Sequence, residues 1–182
     1  AAMSWLKEDN QDSLDEMSQS YLAIVDEALL KMDKIISDTL RYSEIKRKGN
    51  TDSNVDLNHL TGHLINELKQ SYPETTIEVH GALPILTMNE TKIMQVFQNI
   101  LDNACKYRDP NKKSKVKISC SLMFGFFEFA IKDNGIGIPE EQAHHVFEIF
   151  QKLNNNKDSN GVGMSIVKKI VQTYGGKIWF ES

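Results

Sequence analysis

The chain has 182 residues, 40% of them hydrophobic, and 21 Lys and Arg against 25 Asp and Glu leave a net charge of −4. That suffices for one ordinary domain plus an appendage. It speaks against nucleic acid as the main partner, because basic residues gather only at Lys46 to Lys48 and Lys112 to Lys115.

The start, "AAMSWLKED", lacks the basic flank and long apolar region of a signal peptide. From Leu14 to about Arg47 the apolar residues Leu14, Met17, Tyr21, Ile24, Ala28, Ile35 and Tyr42 keep a seven-residue rhythm, widened by Val25, Leu29, Met32, Ile36 and Leu40. No Gly or Pro interrupts it. At ~1.5 Å per residue this predicts a helix of about 50 Å, whose broad stripe asks for partner helices in a bundle or coiled coil, or else for packing along its own domain. "KGNTDSN", Lys48 to Asn54, is breaker-rich and reads as a linker.

In "VDLNHLTGHLINELKQ", Leu57, Leu60, Leu64, Ile65 and Leu68 lie on one helical side. His59 and His63 are four apart on that helix, but Leu60 follows His59 where a zinc protease has Glu, so they read as exposed structural histidines. "TTIEVH" alternates as a strand, and "LPILT" is another short one. A helix from about Asn89, its N-cap, to Tyr107 follows. "KVKISCSLM" and "FFEFAIKD" form a hairpin around Gly125. "NGIGIPEEQAHHVFEIF" has Pro139 as a first helical residue, "QKLNNNKDSN" is a polar loop, and a helix from about Val162 to Tyr174 leads into a strand, "KIWFES". Helices and strands interleave, with the strands partly in hairpins. The expected fold is therefore α+β, a two-layer sandwich with one mixed sheet.

The longest apolar-looking run, "LMFGFFEFAI", contains Glu128 and is about half the ~20 residues a membrane helix needs. Cys105 and Cys120 form no CxxC pair, which favours a reduced, cytoplasmic setting.

Three stretches carry chemistry. In "QNILDNACKY", Asn99, Asn103 and Lys106 stand at offsets of four and three, on one ridge beside the apolar stripe. Amide oxygens suit Mg²⁺ and an ammonium suits phosphate, although amides on such a ridge also occur simply solvated. "DNGIGIP", Asp133 to Pro139, is a turn signal; its spaced glycines also let a ligand ring approach backbone, with Asp133 accepting from an exocyclic amine. In "SNGVGMSIVKKI", Gly161 and Gly163 open a helix, either as a hinge or as a phosphate site of bare N–H groups.

Together and in this order, the three resemble the N, G1 and G2 boxes of the ATPase superfamily that joins DNA gyrase, heat-shock chaperones, MutL and histidine kinases. "FEIFQKL" resembles the F box of histidine kinases, and "GGKIWFES" the strand after their G2 helix. The resemblance spans nearly the whole chain and points to sensor histidine kinases of the phytochrome-like and PAS-linked type. It implies the Bergerat ATP-binding fold, with helices on one face of the sheet, for residues 54–182. Residues 1–48 would be part of the dimerisation hairpin.

The resemblance further implies Mg-ATP as ligand, with Asn103 on the metal and Asn99 and Lys106 as phosphate or metal-shell contacts. Tyr107 and Ile138 would lie near the nucleotide, Asp133 would take the adenine amine, and Gly135 and Gly137 would make room for the ring. Gly161, Val162, Gly163 and Met164 would offer backbone to phosphates, joined by Lys152 from the lid. The partners it implies are a response-regulator receiver domain and a second copy of the chain. None of the five histidines has the phosphoacceptor context, so the acceptor is expected upstream and the chain reads as a fragment that binds nucleotide without autophosphorylating. Ser159 and Asn160 stand where the family often has Gly and Thr. Hydrolases of the superfamily carry Glu where this chain has Asn99, and an amide is no general base at neutral pH.

Overall fold

The computed structural model describes residues 15–44, 52–149 and 161–182. Two compact units divide between Ser43 and Glu44. The described part of the first is helix α1, Glu16–Glu44 but for its last residue, entered through Asp15, whose carboxylate accepts from the Ser18 N–H at 2.8 Å. Its 29 residues make about 43 Å of helix. Met17, Tyr21, Ile24, Leu29, Met32 and Leu40 are all exposed, so the apolar stripe read from the sequence is a real surface of this helix.

In the second unit the elements are β1 (Ser53–Asp56), α2 (Leu57–Ser71), β2 (Thr76–His80), β3 (Ile85–Met88), α3 (Glu90–Lys106), β4 (Lys115–Met123), β5 (Phe126–Asp133), a 3-10 helix (Glu140–His145) and α4 (Gly163–Thr173). The α+β class holds, and a mixed sheet is present: β4 is central, parallel to β2 and antiparallel to β5. Strands β1 and β3 form a separate antiparallel pair rather than joining a single sheet. The β4–β5 hairpin turns through Phe124 and Gly125, both at positive φ, as a two-residue hairpin of this twist requires.

The core follows from periodicity. Val116 and Ile118 of β4 are fully buried while the alternating Lys115 and Lys117 are exposed, so one face of the sheet is covered. Leu57, Leu60 and Leu64 of α2, Phe97 and Leu101 of α3, and Ile166, Val167 and Ile170 of α4 complete this core. Phe97 meets Phe129 of β5 edge to face, with ring centroids 5.7 Å apart, which seats α3 on the sheet. Asp56 caps α2, accepting from the Asn58 and His59 N–H groups, and Asn89 caps α3, accepting from the Lys92 N–H.

Three expectations need correction. Ser53 and Asn54, read as linker, belong to β1, whose Asn54 side chain accepts from Thr87 Oγ1 across the pair at 2.8 Å. "KIWFES", read as a strand, forms no ladder among the described residues. Pro139 is the N-cap of a 3-10 helix instead of the first residue of an α-helix. The polar loop, Lys152, Ser159 and Asn160 lie outside the described residues.

Tyr72, just after α2, donates its hydroxyl to Asp102 Oδ1 of α3 at 2.9 Å and so ties the two helices. Burial, then the Asp102 carboxylate, push its phenol up to about 12. The folded state thus favours the protonated phenol: the stabilisation is whole below the unfolded value near 10 and is lost as pH rises through about 12. Between those values the urea midpoint should fall more steeply for the parent chain than for Tyr72→Phe. Equal slopes would show that the folded state does not hold the phenol protonated.

Candidate nucleotide-binding site

Helix α3 organises the site. Its buried stripe, Ile93, Val96, Phe97, Leu101, Ala104 and Cys105, fixes its rotation, and this leaves Asn99, Asn103 and Lys106 half-buried on the neighbouring ridge. Asn99 Nδ2 donates to Gln95 O at 2.9 Å. Its Oδ1 lies against Gly163 at the start of α4, where an added Cβ would stand 3.0 Å from it. The first motif therefore touches the third directly.

The second motif meets the other end of the same ridge. Tyr107, the C-cap of α3, offers its carbonyl to the Ile136 N–H at 3.0 Å. Gly135 lies so close beneath it that a Cβ would come within 2.4 Å of Tyr107 O. Asp133 Oδ1 accepts from Gly135 N at 2.8 Å, which closes the turn and holds the exposed carboxylate at the end of β5. Gly137 takes a positive φ of 71°, and the next N–H, that of Ile138, donates to Ser182 Oγ at 2.7 Å. Lys106 extends its ammonium over the Tyr107 ring, 6.0 Å from the centroid.

At the third motif, Gly161 has φ of +66°, Val162 is buried as the α4 N-cap, and Gly163 and Met164 form a half-buried first turn. Val162 makes no side-chain capping bond, so the first-turn N–H groups have no partner from that side chain. Twelve of the thirteen site residues read from the sequence thus lie on α3 and its C-cap, at the end of β5 and in the turn after it, or at Gly161, Val162 and the first turn of α4; Lys152 is the one outside the described residues. From Asn99 to Tyr107 the ridge runs about 12 Å, with Asn103 midway.

Two positioning residues escaped the sequence reading. Asn134 inserts its amide between chain segments: Oδ1 accepts from Lys115 N at 2.8 Å and Nδ2 donates to Lys113 O at 2.9 Å. It was legible only as part of an Asn-Gly turn. Tyr174 closes α4 and, through its hydroxyl, accepts from Asn89 N at 3.1 Å and donates to Asp52 Oδ1 at 2.9 Å, so the start of α3 is pinned to the end of α4. Asn134→Ala should cost about 1–2 kcal/mol in urea unfolding, the worth of two hydrogen bonds. A loss below a few tenths would show that the 113–115 segment holds its place without it.

Among the described residues no three His, Cys, Asp or Glu gather into a metal-binding cluster. A cation on this ridge would rest on amide oxygen, water and a ligand's own phosphates, all hard oxygen donors of the kind Mg²⁺ takes. The donor set fits that ion. No helix among the described residues is long and apolar enough to cross a membrane.

Comparison with known proteins follows the same lines. Cyanobacterial phytochrome A of Nostoc sp. (strain PCC 7120) is 30% identical over 175 residues, covering 94% of this chain and 23% of that protein. The chain spans about a quarter of the length of the curated relatives it matches first. Among solved structures, the mycobacterial sensor histidine kinase MprB superposes with a TM-score of 0.61 at 25% identity, over 68% of this chain and 82% of that one. Histidine kinase ThkA, solved in complex with response regulator protein TrrA, shares the fold at a TM-score of 0.68 and 23% identity, over 100% of this chain and 53% of that one. The family model of histidine kinase-, DNA gyrase B-, and HSP90-like ATPases matches residues 88–182, which contain α3, both glycine loops and α4, and the chain belongs to that family.

Proposed function

We propose that this chain is the ATP-binding catalytic part of a two-component sensor histidine kinase. The whole protein would transfer the γ-phosphoryl group of Mg-ATP to a histidine, for relay to a receiver-domain aspartate. The observation that carries the reading is the double contact of α3, with Gly163 against Asn99 and Gly135 against Tyr107. It sets an Asp-Gly turn and a Gly-opened helix against the two ends of one amide ridge.

Asn103 would hold Mg²⁺, with Asn99 and Lys106 toward metal or phosphate. Asp133 would accept from the adenine amine, the Gly135 to Ile138 turn would admit the ring, and Gly161 to Met164 would offer backbone to the phosphates. Lys152 would reach in from the lid. Bound Mg²⁺ would neutralise phosphate charge. The chain's own contribution is positioning and charge stabilisation, since phosphoryl transfer asks for little covalent help. Asn99 supplies no base to activate water, so hydrolysis at this site is not expected.

Helix α1, with Met17, Tyr21, Ile24 and Leu40 exposed, would belong to the dimerisation segment that joins two copies. In the whole protein that dimer would meet a response regulator. Two free cysteines, Cys105 buried and Cys120 half-buried, suit a reducing cytoplasmic setting.

Calorimetric titration with a non-hydrolysable ATP analogue, with and without Mg²⁺, tests the reading beside a phosphate-release assay. Mg²⁺-dependent binding with background phosphate release is expected. Steady turnover without an acceptor would transfer the chain to the hydrolase branch, and absence of binding would make it a scaffold.

A further inference from the structure

His59 and His63 lie on α2, a different helix from the one that carries the amide ridge, and the nucleotide reading gives them no task. Both are exposed. Their Nε2 atoms are 3.2 Å apart, with ring centroids at 4.5 Å and planes inclined by 69°. Two neutral imidazoles at that distance share one proton, one ring donating Nε2–H to the other's lone pair.

With metal–nitrogen bonds of about 2.0–2.1 Å, nitrogens so spaced subtend roughly 100° at a common metal, between square-planar and tetrahedral angles. We infer that His59 and His63 form a two-point chelate for a divalent transition metal of the Cu²⁺, Ni²⁺ or Zn²⁺ class, with the remaining positions filled by water. On binding, the donor ring moves its proton to Nδ1, and both Nε2 lone pairs turn to the cation.

Two features of the surroundings favour this. The Asp56 carboxylate, at the N-cap one turn before, accepts from the His59 backbone N–H at 3.4 Å, so a negative charge stands near the pair. Gly62 lies beside His63, and a Cβ there would meet nothing within 4 Å, so the approach is open. The exposed-structural reading accounts for the exposure and for a hydrogen bond between the rings; the chelate uses the same convergence of Nε2 atoms, with a cation in place of the shared proton. The rings need no rearrangement of backbone, because the i, i+4 offset of α2 already places them one above the other.

The chain stripped with EDTA is titrated with CuCl₂ and ZnCl₂ by calorimetry and followed by thermal unfolding. One equivalent should bind and raise the midpoint. His59→Ala and His63→Ala should each weaken binding at least tenfold, and His145→Ala should leave it unchanged. The double variant His63→Ala/Asn66→His keeps the number of exposed histidines but separates the pair by two turns, and it should stay as weak as His63→Ala. Uptake that survives either single alanine, follows His145, or returns in the double variant would overturn the chelate.

Discussion

Asn103→Ala is expected to remove the Mg²⁺-dependent part of ATP-analogue binding while leaving the fold intact. Asn103 is half-buried midway along the α3 ridge, one turn from Asn99, and its neighbour Asn99 is already occupied by Gln95 O and Gly163. Under the proposed assignment, removing its amide deletes the metal's ligand. Alanine is also the better helix former, so thermal stability without ligand should be unchanged or slightly raised. The affinity measured with Mg²⁺ should fall at least tenfold, about 1.4 kcal/mol, while binding without Mg²⁺ barely changes. If the variant keeps the full Mg²⁺ increment, the metal is held elsewhere and the assignment of Asn103 fails.

Gly135→Ala should damage both stability and binding. A Cβ there would lie 2.4 Å from Tyr107 O and 2.9 Å from Asp133 Oδ1, and the nearer atom is backbone at the end of a helix. Either the Ile136 N–H to Tyr107 O bond or the Asp133 turn must open. Overpacking of this kind costs about 1–3 kcal/mol. The Asp133 carboxylate, which we propose accepts from the adenine amine, would be displaced with it, so analogue affinity should drop by more than tenfold. Gly62→Ala is the matched control: it sits inside α2 in open space, and relief of helical glycine should stabilise by about 0.5–1 kcal/mol. Urea unfolding of both variants decides the matter, and a Gly135→Ala chain as stable as the parent would show that the loop is not seated on Tyr107.

Much of this was legible because it is local. The Asn89 cap, the apolar stripe of α3 and the ridge beside it follow from a 3.6-residue repeat, and the Phe124–Gly125 turn from two alternating runs. Strand β1 was missed because its four residues, "SNVD", are mostly polar and acquire strand form only by pairing with β3, some thirty residues on. The reverse held for 177–182, where an alternating pattern carries no ladder among the described residues. Propensity marks a segment that fits a sheet, and only a neighbouring strand supplies the hydrogen bonds. Asn134 and Tyr174 were hidden for a related reason: each earns its place through partners distant in the chain.

By itself the sequence determined the α+β class, the amide ridge, the two glycine loops and the family to which they belong. These rest on spacing along single elements and on the joint order of three short motifs. Only the tertiary structure decided that Gly163 abuts Asn99, that Gly135 lies under Tyr107, that the Ile138 N–H goes to Ser182, and that two histidine nitrogens converge at 3.2 Å. Distances between side chains depend on how buried faces rotate and seat the helices, and that rotation is a property of the packed core rather than of any one stretch of chain.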